Sequence, residues 1–461
     1  MQPEQTPLQL DRSRALRDAG LWFMLAVGSL LVAGTLAVVL VIGRLPGLAE
    51  IVISDVMFAR RSLVVHVNLA LEVWFFSFLA GMFCLLPGAP RVRAAGFAMP
   101  LAALGTALFC SAMFLPDATP VLSNYIPALD HWLFLLGLGL FGAGVALNFV
   151  DPRLLPGRHG QPLLPAPAAS GVRAGAFAYL LACLTIAAAW QTQDEGLYRA
   201  LESGAPPGFY ERPFWGGGHL LQYANVLGMT GCWMLLLHRL LGRSPVAPRG
   251  AAVLFALLMA PTLAGPLIVS AESSWTLFTR LMQFGIFPVT AILIALCAVA
   301  VRRTPLPPGA LKDPAFTGFA TSAVMTVLGF LLGASISEQT TLIPAHYHTS
   351  IGAVTATYMA VILTLLPEFG APLPTARLKR LAAWQPVLFG IGQTVFAGGL
   401  ALAGTWGKAE RKVYGKEQVV RTTGEWVGLI VMGTGGVIAL AGGILLLVLL
   451  VKALRARKKA A

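Results

Sequence analysis

The sequence predicts an all-α, polytopic membrane protein with about twelve transmembrane helices. Its residues are 57% hydrophobic and only 11% charged, whereas a soluble domain carries about 25% charged residues. Apolar runs long enough to cross a bilayer, about 20 residues each, recur along the whole chain. The predicted spans are 20–44, 63–87, 94–115, 127–150, 173–192, 214–241, 251–272, 281–301, 315–337, 343–366, 383–404 and 427–452. They leave little chain for a soluble part, so we predict a single transmembrane domain over 1–461.

The basic residues indicate the orientation of these spans. The net charge is +13, and most lysines and arginines fall in alternate loops if the N-terminus, with Arg12, Arg14 and Arg17, is cytoplasmic. This is the positive-inside pattern of membrane proteins, and it gives no reason to expect a nucleic-acid partner. An even number of spans places both termini in the cytoplasm. We expect the inner (plasma) membrane of a bacterium, with the first run retained as an anchor rather than cleaved.

Two histidines separated by one residue lie at the start of the tenth predicted span, in His346-Tyr347-His348. Helical positions two apart project about 200° apart, so the two imidazoles face opposite sides of one helix. They cannot chelate one metal, but they can reach two different cofactors. Because ionisable side chains within a bilayer are costly and usually functional, the tripeptide predicts two cofactor sites.

Five of the seven histidines fall at one predicted membrane depth, near the outer face: His66, His131, His219, His346 and His348. This clustering predicts a shared cofactor layer, although His131 is also typical of a hydrogen-bonded interfacial residue. His219 and Tyr223 are four residues apart and therefore share one helix face. Tyr223 can serve the chemistry of His219, or it can simply fill a gap between helices.

The segment Pro344–Val354, with the sequence PAHYHTSIGAV, resembles the tenth-helix motif of subunit I of the haem-copper oxidoreductases. This superfamily contains the cytochrome c and quinol oxidases and the nitric oxide reductases. The resemblance implies that His346 binds the iron of a high-spin haem and His348 that of a low-spin haem. His66, at the matching place in the second span, would be the other ligand of the low-spin haem.

Two further segments resemble the same family. His219 and Tyr223 match its sixth-helix His-x-x-x-Tyr motif, in which the histidine binds copper. Arg411 and Lys412, in the loop after the eleventh span, are a loose match to the basic residues that bind the haem propionates. The family fold is a bundle of about twelve helices, as the apolar runs independently predict.

The sequence departs from the family at the second metal. The seventh helix of the family ends in a His-His pair, whereas this chain reads SAESSW over 270–275. The remaining candidates are His219, Glu272 and Tyr223 or a serine hydroxyl. Because oxygen ligands suit iron better than copper, we expect a non-haem iron, or no second metal, rather than a standard copper centre. The family's eighth-helix lysine and its inlet between the second and third helices are also missing, so we expect no proton pumping.

The resemblance implies a subunit of a respiratory-type terminal reductase with two haems of the b type. Electrons from a cytochrome c or quinol would enter at His66 and His348 and pass to the haem of His346. A small gas, NO or O₂, would be reduced there, facing His219, Tyr223 and Glu272. The chain has no CxxCH motif, so we expect an accessory cytochrome c or cupredoxin-type subunit. The alternative is a non-catalytic haem protein for electron transfer or gas sensing, with a degenerate second site.

Overall fold

The structure is a computed structural model that describes residues 7–48, 55–87, 93–156, 163–193, 204, 208–410 and 419–460. Within these ranges, twelve helical segments are long and apolar enough to cross a membrane, and the predicted fold class is confirmed. Numbered spans 1 to 12 in chain order, they are Arg12–Ile42, Val56–Cys84, Ala94–Phe114, Trp132–Phe149, Ala166–Gln191, Glu211–Leu241, Pro248–Ile268, Ser274–Arg303, Pro314–Ala334, Leu342–Leu365, Ala376–Thr405 and Thr423–Arg457.

Several of these helices extend beyond their apolar part or change form within it. The first and last helices run over Pro7–Ile42 and Thr423–Ala460. Span 2 consists of the α-helices Val56–Asn68 and Trp74–Cys84, joined by a π-helical turn at Leu69–Val73. In span 3, the α-helix Ala98–Ser111 lies between 3₁₀ turns at Arg93–Gly96 and Ala112–Phe114. Span 7 consists of the α-helices Pro248–Met259 and Gly265–Ile268, joined by a 3₁₀ turn at Ala260–Ala264. Short 3₁₀ turns also occur at Pro152–Leu154 and Ala310–Lys312.

Side-chain caps fix where some of the helices begin. Asp313 accepts a hydrogen bond from the backbone N–H of Ala315, 2.8 Å away, at the start of span 9. His131 accepts one from Leu133 in the same way at the start of span 4, at 3.1 Å. Such caps satisfy backbone donors that have no partner within the helix. His131 is thereby used as a capping residue.

The chain divides into two compact units. The first comprises Met1–Ala33, Val64–Met234 and Val246–Leu296. Within it, spans 3 and 4 pack along each other. Their contact depends on small residues: a Cβ atom at Gly144 would lie 2.6 Å from the backbone nitrogen of Ala102. Such close backbone approach is the usual basis of helix association in membranes.

The loop between spans 3 and 4 also belongs to the first unit. It forms a small antiparallel hairpin of β1 (Thr119–Val121) and β2 (Ala128–Asp130). Thr119 lies opposite Asp130, and Val121 lies opposite Ala128. The six residues between the strands are therefore a tight, irregular loop whose ends are held together by the hairpin.

The second unit comprises Gly34–Leu63, Leu235–Pro245 and Cys297–Ala461. Spans 11 and 12 pack along their lengths, and spans 9, 10 and 11 pack on one another. A Cβ atom at Gly442 would lie 2.7 Å from the backbone nitrogen of Phe389, so glycine permits the approach of spans 11 and 12. An ion pair between Arg239 and Glu368, 2.9 Å apart, joins two other segments of this unit.

Candidate functional site

His346 is oriented by span 9. Its Nδ1 atom lies 2.8 Å from the backbone oxygen of Gly329. A carbonyl oxygen can only accept, so Nδ1 carries the hydrogen and Nε2 keeps a lone pair. The ring also lies close to Gly333, where a Cβ atom would be 2.8 Å from Cε1. Span 9 therefore sets both the tautomer and the position of this imidazole.

His348, two residues further along span 10, is oriented by span 11. Its Nδ1 atom is 3.3 Å from Oε1 of Gln393, and its ring centroid is 4.5 Å from that of Phe396. The two histidines of the tripeptide thus contact different neighbouring helices. This is the arrangement expected of two side chains that leave one helix in opposite directions.

His66 of span 2 is held in the same way as His346. Its Nδ1 atom lies 2.8 Å from the backbone oxygen of Ala33 on span 1, which leaves the lone pair on Nε2. His66, His346 and His348 are all partly exposed rather than sealed. Metal-bound histidines usually donate their other N–H to a carbonyl or a similar acceptor, and haem iron is commonly held by histidine. All three side chains therefore fit the role of haem ligands.

His219 of span 6 is in a different state. The residue is 1% exposed, and both ring nitrogens are engaged. Nδ1 lies 2.7 Å from the backbone oxygen of Trp215, so Nδ1 donates and Nε2 must accept. The acceptor atom Nε2 is 2.9 Å from the hydroxyl of Tyr125. The lone pair with which His219 would bind a metal is thus used by a tyrosine.

Tyr125 lies in the loop between β1 and β2, and it was not predicted as a site residue. Its φ angle is 64°, a left-handed conformation that is uncommon for a bulky residue. Nothing in its spacing distinguishes it from other loop residues, since only the folded hairpin brings it to span 6. In the sequence, Tyr125 is simply the residue that follows Asn124 in a predicted outer loop.

Tyr223 and Glu272 do not converge on His219. The Tyr223 hydroxyl, which is buried, donates to the backbone oxygen of Leu281 on span 8. Glu272 is exposed between spans 7 and 8. Over the ranges that the structure describes, no three His, Cys, Asp or Glu side chains are grouped so that they could hold a metal ion. As arranged here, the donors do not fit a second metal.

Arg411 and Lys412, the predicted propionate-binding residues, lie outside the described residues. Two polar residues that sequence reasoning missed lie inside them. Gln393 orients His348. Glu72, 8% exposed, lies in the π-helical turn of span 2; π turns within helices are frequent at functional sites. A single acid in the apolar run Leu69-Ala-Leu-Glu-Val73 was a signal that could have revealed Glu72.

A buried carboxylate fixes the hairpin beside Tyr125. Asp130 is 3% exposed; it accepts hydrogen bonds from the hydroxyl of Tyr210 at 2.5 Å and from the backbone N–H of Gly204 at 2.7 Å. Burial, together with the hydrogen bond to Asp130 and its charge, raises the pKa of Tyr210. The phenol therefore stays protonated and continues to donate to Asp130.

The chain is similar in fold and in sequence to known proteins. A solved structure described as a cryo-EM structure of a heme-copper terminal oxidase dimer superimposes with a TM-score of 0.69. The match covers 98% of this chain and 85% of the other at 18% identity, which establishes a shared fold. An uncharacterized protein of Aquifex aeolicus is 27% identical over 383 residues, covering 80% of this chain and 89% of the relative.

An uncharacterized protein of Rickettsia prowazekii is 22% identical over 494 residues, covering 93% of this chain and 94% of its own length. The family model for cytochrome c and quinol oxidase polypeptide I matches residues 18–439, a range that includes His66, His219, His346 and His348. The resemblance seen in the sequence is confirmed, and the chain belongs to the family of cytochrome c and quinol oxidase polypeptide I, the subunit I family of the haem-copper oxidases.

Proposed function

We propose that this protein is the haem-binding subunit of a membrane oxidoreductase that reduces a small gas, NO or O₂, without pumping protons. The observation that carries the proposal is the common state of three imidazoles. His66, His346 and His348 each engage Nδ1 with an acceptor, and each is partly exposed. An imidazole that donates from Nδ1 keeps the lone pair of Nε2 for an iron.

We assign the three ligands as the family resemblance does. His66 and His348 hold a low-spin haem, and His346 holds a high-spin haem; both are proposed to be of the b type. When bound, the haems would supply one-electron transfer and an iron with an open position for a gas. The chain supplies the orientation: Ala33, Gly329 and Gln393 each provide the oxygen that fixes one histidine.

The electron donor and the setting are part of the same proposal. A cytochrome c or a quinol delivers electrons, through an accessory cytochrome c or cupredoxin-type subunit in the first case. The protein lies in a bacterial inner membrane with both termini in the cytoplasm and the haem layer near the outer face. The twelve spans support a multi-pass membrane protein, and the positive-inside distribution of arginine and lysine supports the orientation.

A second candidate function is favoured by two observations at the second metal site of the family. The Tyr125 hydroxyl donates to Nε2 of His219, and segment 270–275 contains no histidine. A chain with such a site can carry electrons or sense a gas through haem alone, without catalysing gas reduction. The two candidates share the haem ligands and differ in turnover, so an assay of NO and O₂ consumption separates them.

The test begins with optical spectra of the purified protein and of single-histidine variants. We expect two haems, one of them high-spin and reactive with CO. His66→Ala and His348→Ala should each remove the low-spin signal, and His346→Ala should remove only the CO-reactive one. His238→Ala is the matched control, because His238 hydrogen-bonds to Ser244 at 3.2 Å and is not one of the proposed haem ligands. A protein that binds no haem would refute the proposal, and equal loss of both haems in all three variants would refute the ligand assignment.

A further inference from the structure

We infer that Tyr125 takes the place of a metal at His219, so that the span 6 histidine belongs to a metal-free tyrosine–histidine pair. The family resemblance implies that His219 faces the small gas of the proposed function, so the importance of the pair for turnover rests on that function. Its existence does not, since both residues and their contacts lie within the first unit.

The hydrogens of the pair are fixed by a single carbonyl. Trp215 offers a backbone oxygen to Nδ1 of His219 at 2.7 Å, and this oxygen can only accept. Nε2 is therefore unprotonated in the neutral ring, and the Tyr125 hydroxyl at 2.9 Å must be the donor. Metal coordination by His219 would use the same lone pair on Nε2. A bound metal and this hydrogen bond therefore exclude each other.

The loop that carries Tyr125 is held in place by contacts other than the one to His219. Asn68 donates from Nδ2 to the backbone oxygen of Pro127 at 2.8 Å. The carboxylate of Glu211 accepts from the backbone N–H of Asn124 at 3.1 Å. Ser123 donates to the backbone oxygen of Ile126 at 2.6 Å. These anchors lie on both sides of Tyr125, so the left-handed φ of 64° is imposed by the whole loop.

Span 6 is shaped to receive the tyrosine. A Cβ atom at Gly218 would lie 2.6 Å from Cγ of Tyr125, so only glycine allows the ring to lie at this depth. The Tyr125 and His219 rings are 4.5 Å apart between centroids, and His219 is 1% exposed. A left-handed backbone conformation costs free energy in a non-glycine residue and persists only where the surrounding contacts hold it. For Tyr125, the packing of the ring against span 6 is one of these contacts.

The other donors near His219 do not compensate for the lost lone pair. Segment 270–275 has no histidine, and the Tyr223 hydroxyl donates to Leu281. A stable site for zinc, copper or iron needs three or four protein ligands. To bind His219, a metal would therefore have to displace the Tyr125 hydroxyl from Nε2, and it would gain only one imidazole ligand. The geometry favours the tyrosine.

The first experiment is metal analysis of the intact, haem-loaded protein. Wild type and His219→Ala are equilibrated separately with copper, iron(II) and zinc salts and passed through a chelating column. We expect the metal retained beyond haem iron to be the same in both proteins. Retention of one additional metal per chain by the wild type, and its loss in His219→Ala, would overturn the inference.

The second experiment detects the hydrogen bond itself. Ultraviolet resonance Raman spectra report whether a tyrosine hydroxyl donates to an acceptor. The difference spectrum between the wild type and His219→Ala should show a shifted tyrosine band. The difference spectrum between Tyr125→Phe and the Tyr125→Phe, His219→Ala double variant should show no such shift. Tyr210→Phe is the matched control, since Tyr210 donates to Asp130 instead. A band shift that persists without Tyr125 would overturn the inference.

The third experiment keeps the test valid if a variant is poorly stable. Thermal unfolding of Tyr125→Phe, His219→Ala and the double variant forms a double-mutant cycle. We expect the double variant to lose no more in Tm than the more damaging single variant, whereas simple additivity of the two losses would contradict a direct pair. Haem content, measured in parallel, reports separately on the proposed function and does not enter this comparison.

Discussion

His346 lies directly against Gly333 of the neighbouring span. A Cβ atom at Gly333 would be 2.8 Å from Cε1 and 2.9 Å from Nδ1 of the imidazole, closer than carbon and nitrogen atoms can pack without displacement. The same ring donates from Nδ1 to Gly329, one helical turn earlier on span 9. One turn of span 9 thus provides both the acceptor and the space that fix a proposed haem ligand.

We therefore expect Gly333→Ala to displace His346 and to weaken the CO-reactive, high-spin haem signal while leaving the low-spin signal intact. Gly398→Ala is the matched control in the same unit, because a Cβ atom there would meet nothing within 4 Å. The measurement is the CO-difference spectrum per mole of protein. Equal CO signals in the two variants would mean that the ring tolerates the added methyl group and that Gly333 does not position it.

Gln393 provides a test on the other side of span 10. Its Oε1 atom accepts from Nδ1 of His348 at 3.3 Å, and loss of such an outer partner typically weakens metal binding by about 10–100-fold. We expect Gln393→Leu to lower retention of the low-spin haem by a factor in this range. Gln393→Glu keeps an acceptor and should retain the haem. Haem loss measured by transfer to apomyoglobin distinguishes the two variants, and an unchanged transfer rate in Gln393→Leu would contradict the positioning role.

The sequence was sufficient to predict the fold and the candidate ligand histidines, but not the groups that orient those histidines. Twelve apolar runs predict twelve spans because length and hydropathy alone decide whether a helix can cross a bilayer. The tripeptide at 346–348 predicts two opposed ligands because helical periodicity is a local property. Gln393 and the carbonyl of Gly329 could not be predicted, since they meet the histidines only through the packing of spans 9, 10 and 11.

The sixth span shows the same limit more sharply. His219 and Tyr223 were placed on one helix face by their spacing, yet each finds its partner on another segment: Tyr125 for His219 and the backbone of Leu281 for Tyr223. A family motif identifies residue types at matching positions. It does not reveal a loop residue such as Tyr125, whose place depends on a hairpin and on anchors from spans 2 and 6.

The contact between Asp130 and Tyr210 predicts a pH dependence of stability. Because burial and the contact with Asp130 raise the pKa of Tyr210 in the folded protein, the folded state holds the phenolic proton more tightly than the unfolded state does. The stabilisation is fully present below the unfolded pKa of about 10 and is lost as pH rises through the folded value. We expect Tm to fall more steeply above about pH 10 in the wild type than in Tyr210→Phe. Parallel pH profiles of the two proteins would show that this contact does not contribute.

Glu272 distinguishes a metal ligand from an exposed side chain. The structure places it in an exposed position between spans 7 and 8, and exposed substitutions usually change stability by less than about 0.5 kcal/mol. We expect Glu272→Gln to leave haem content, Tm and the amount of metal retained beyond haem iron unchanged. The measurement is elemental analysis beside a pyridine haemochrome assay, with His219→Ala analysed in parallel.

If the wild type retains an extra metal that both Glu272→Gln and His219→Ala lose, the two side chains share a ligand set, and the loop carrying Glu272 must move to reach it.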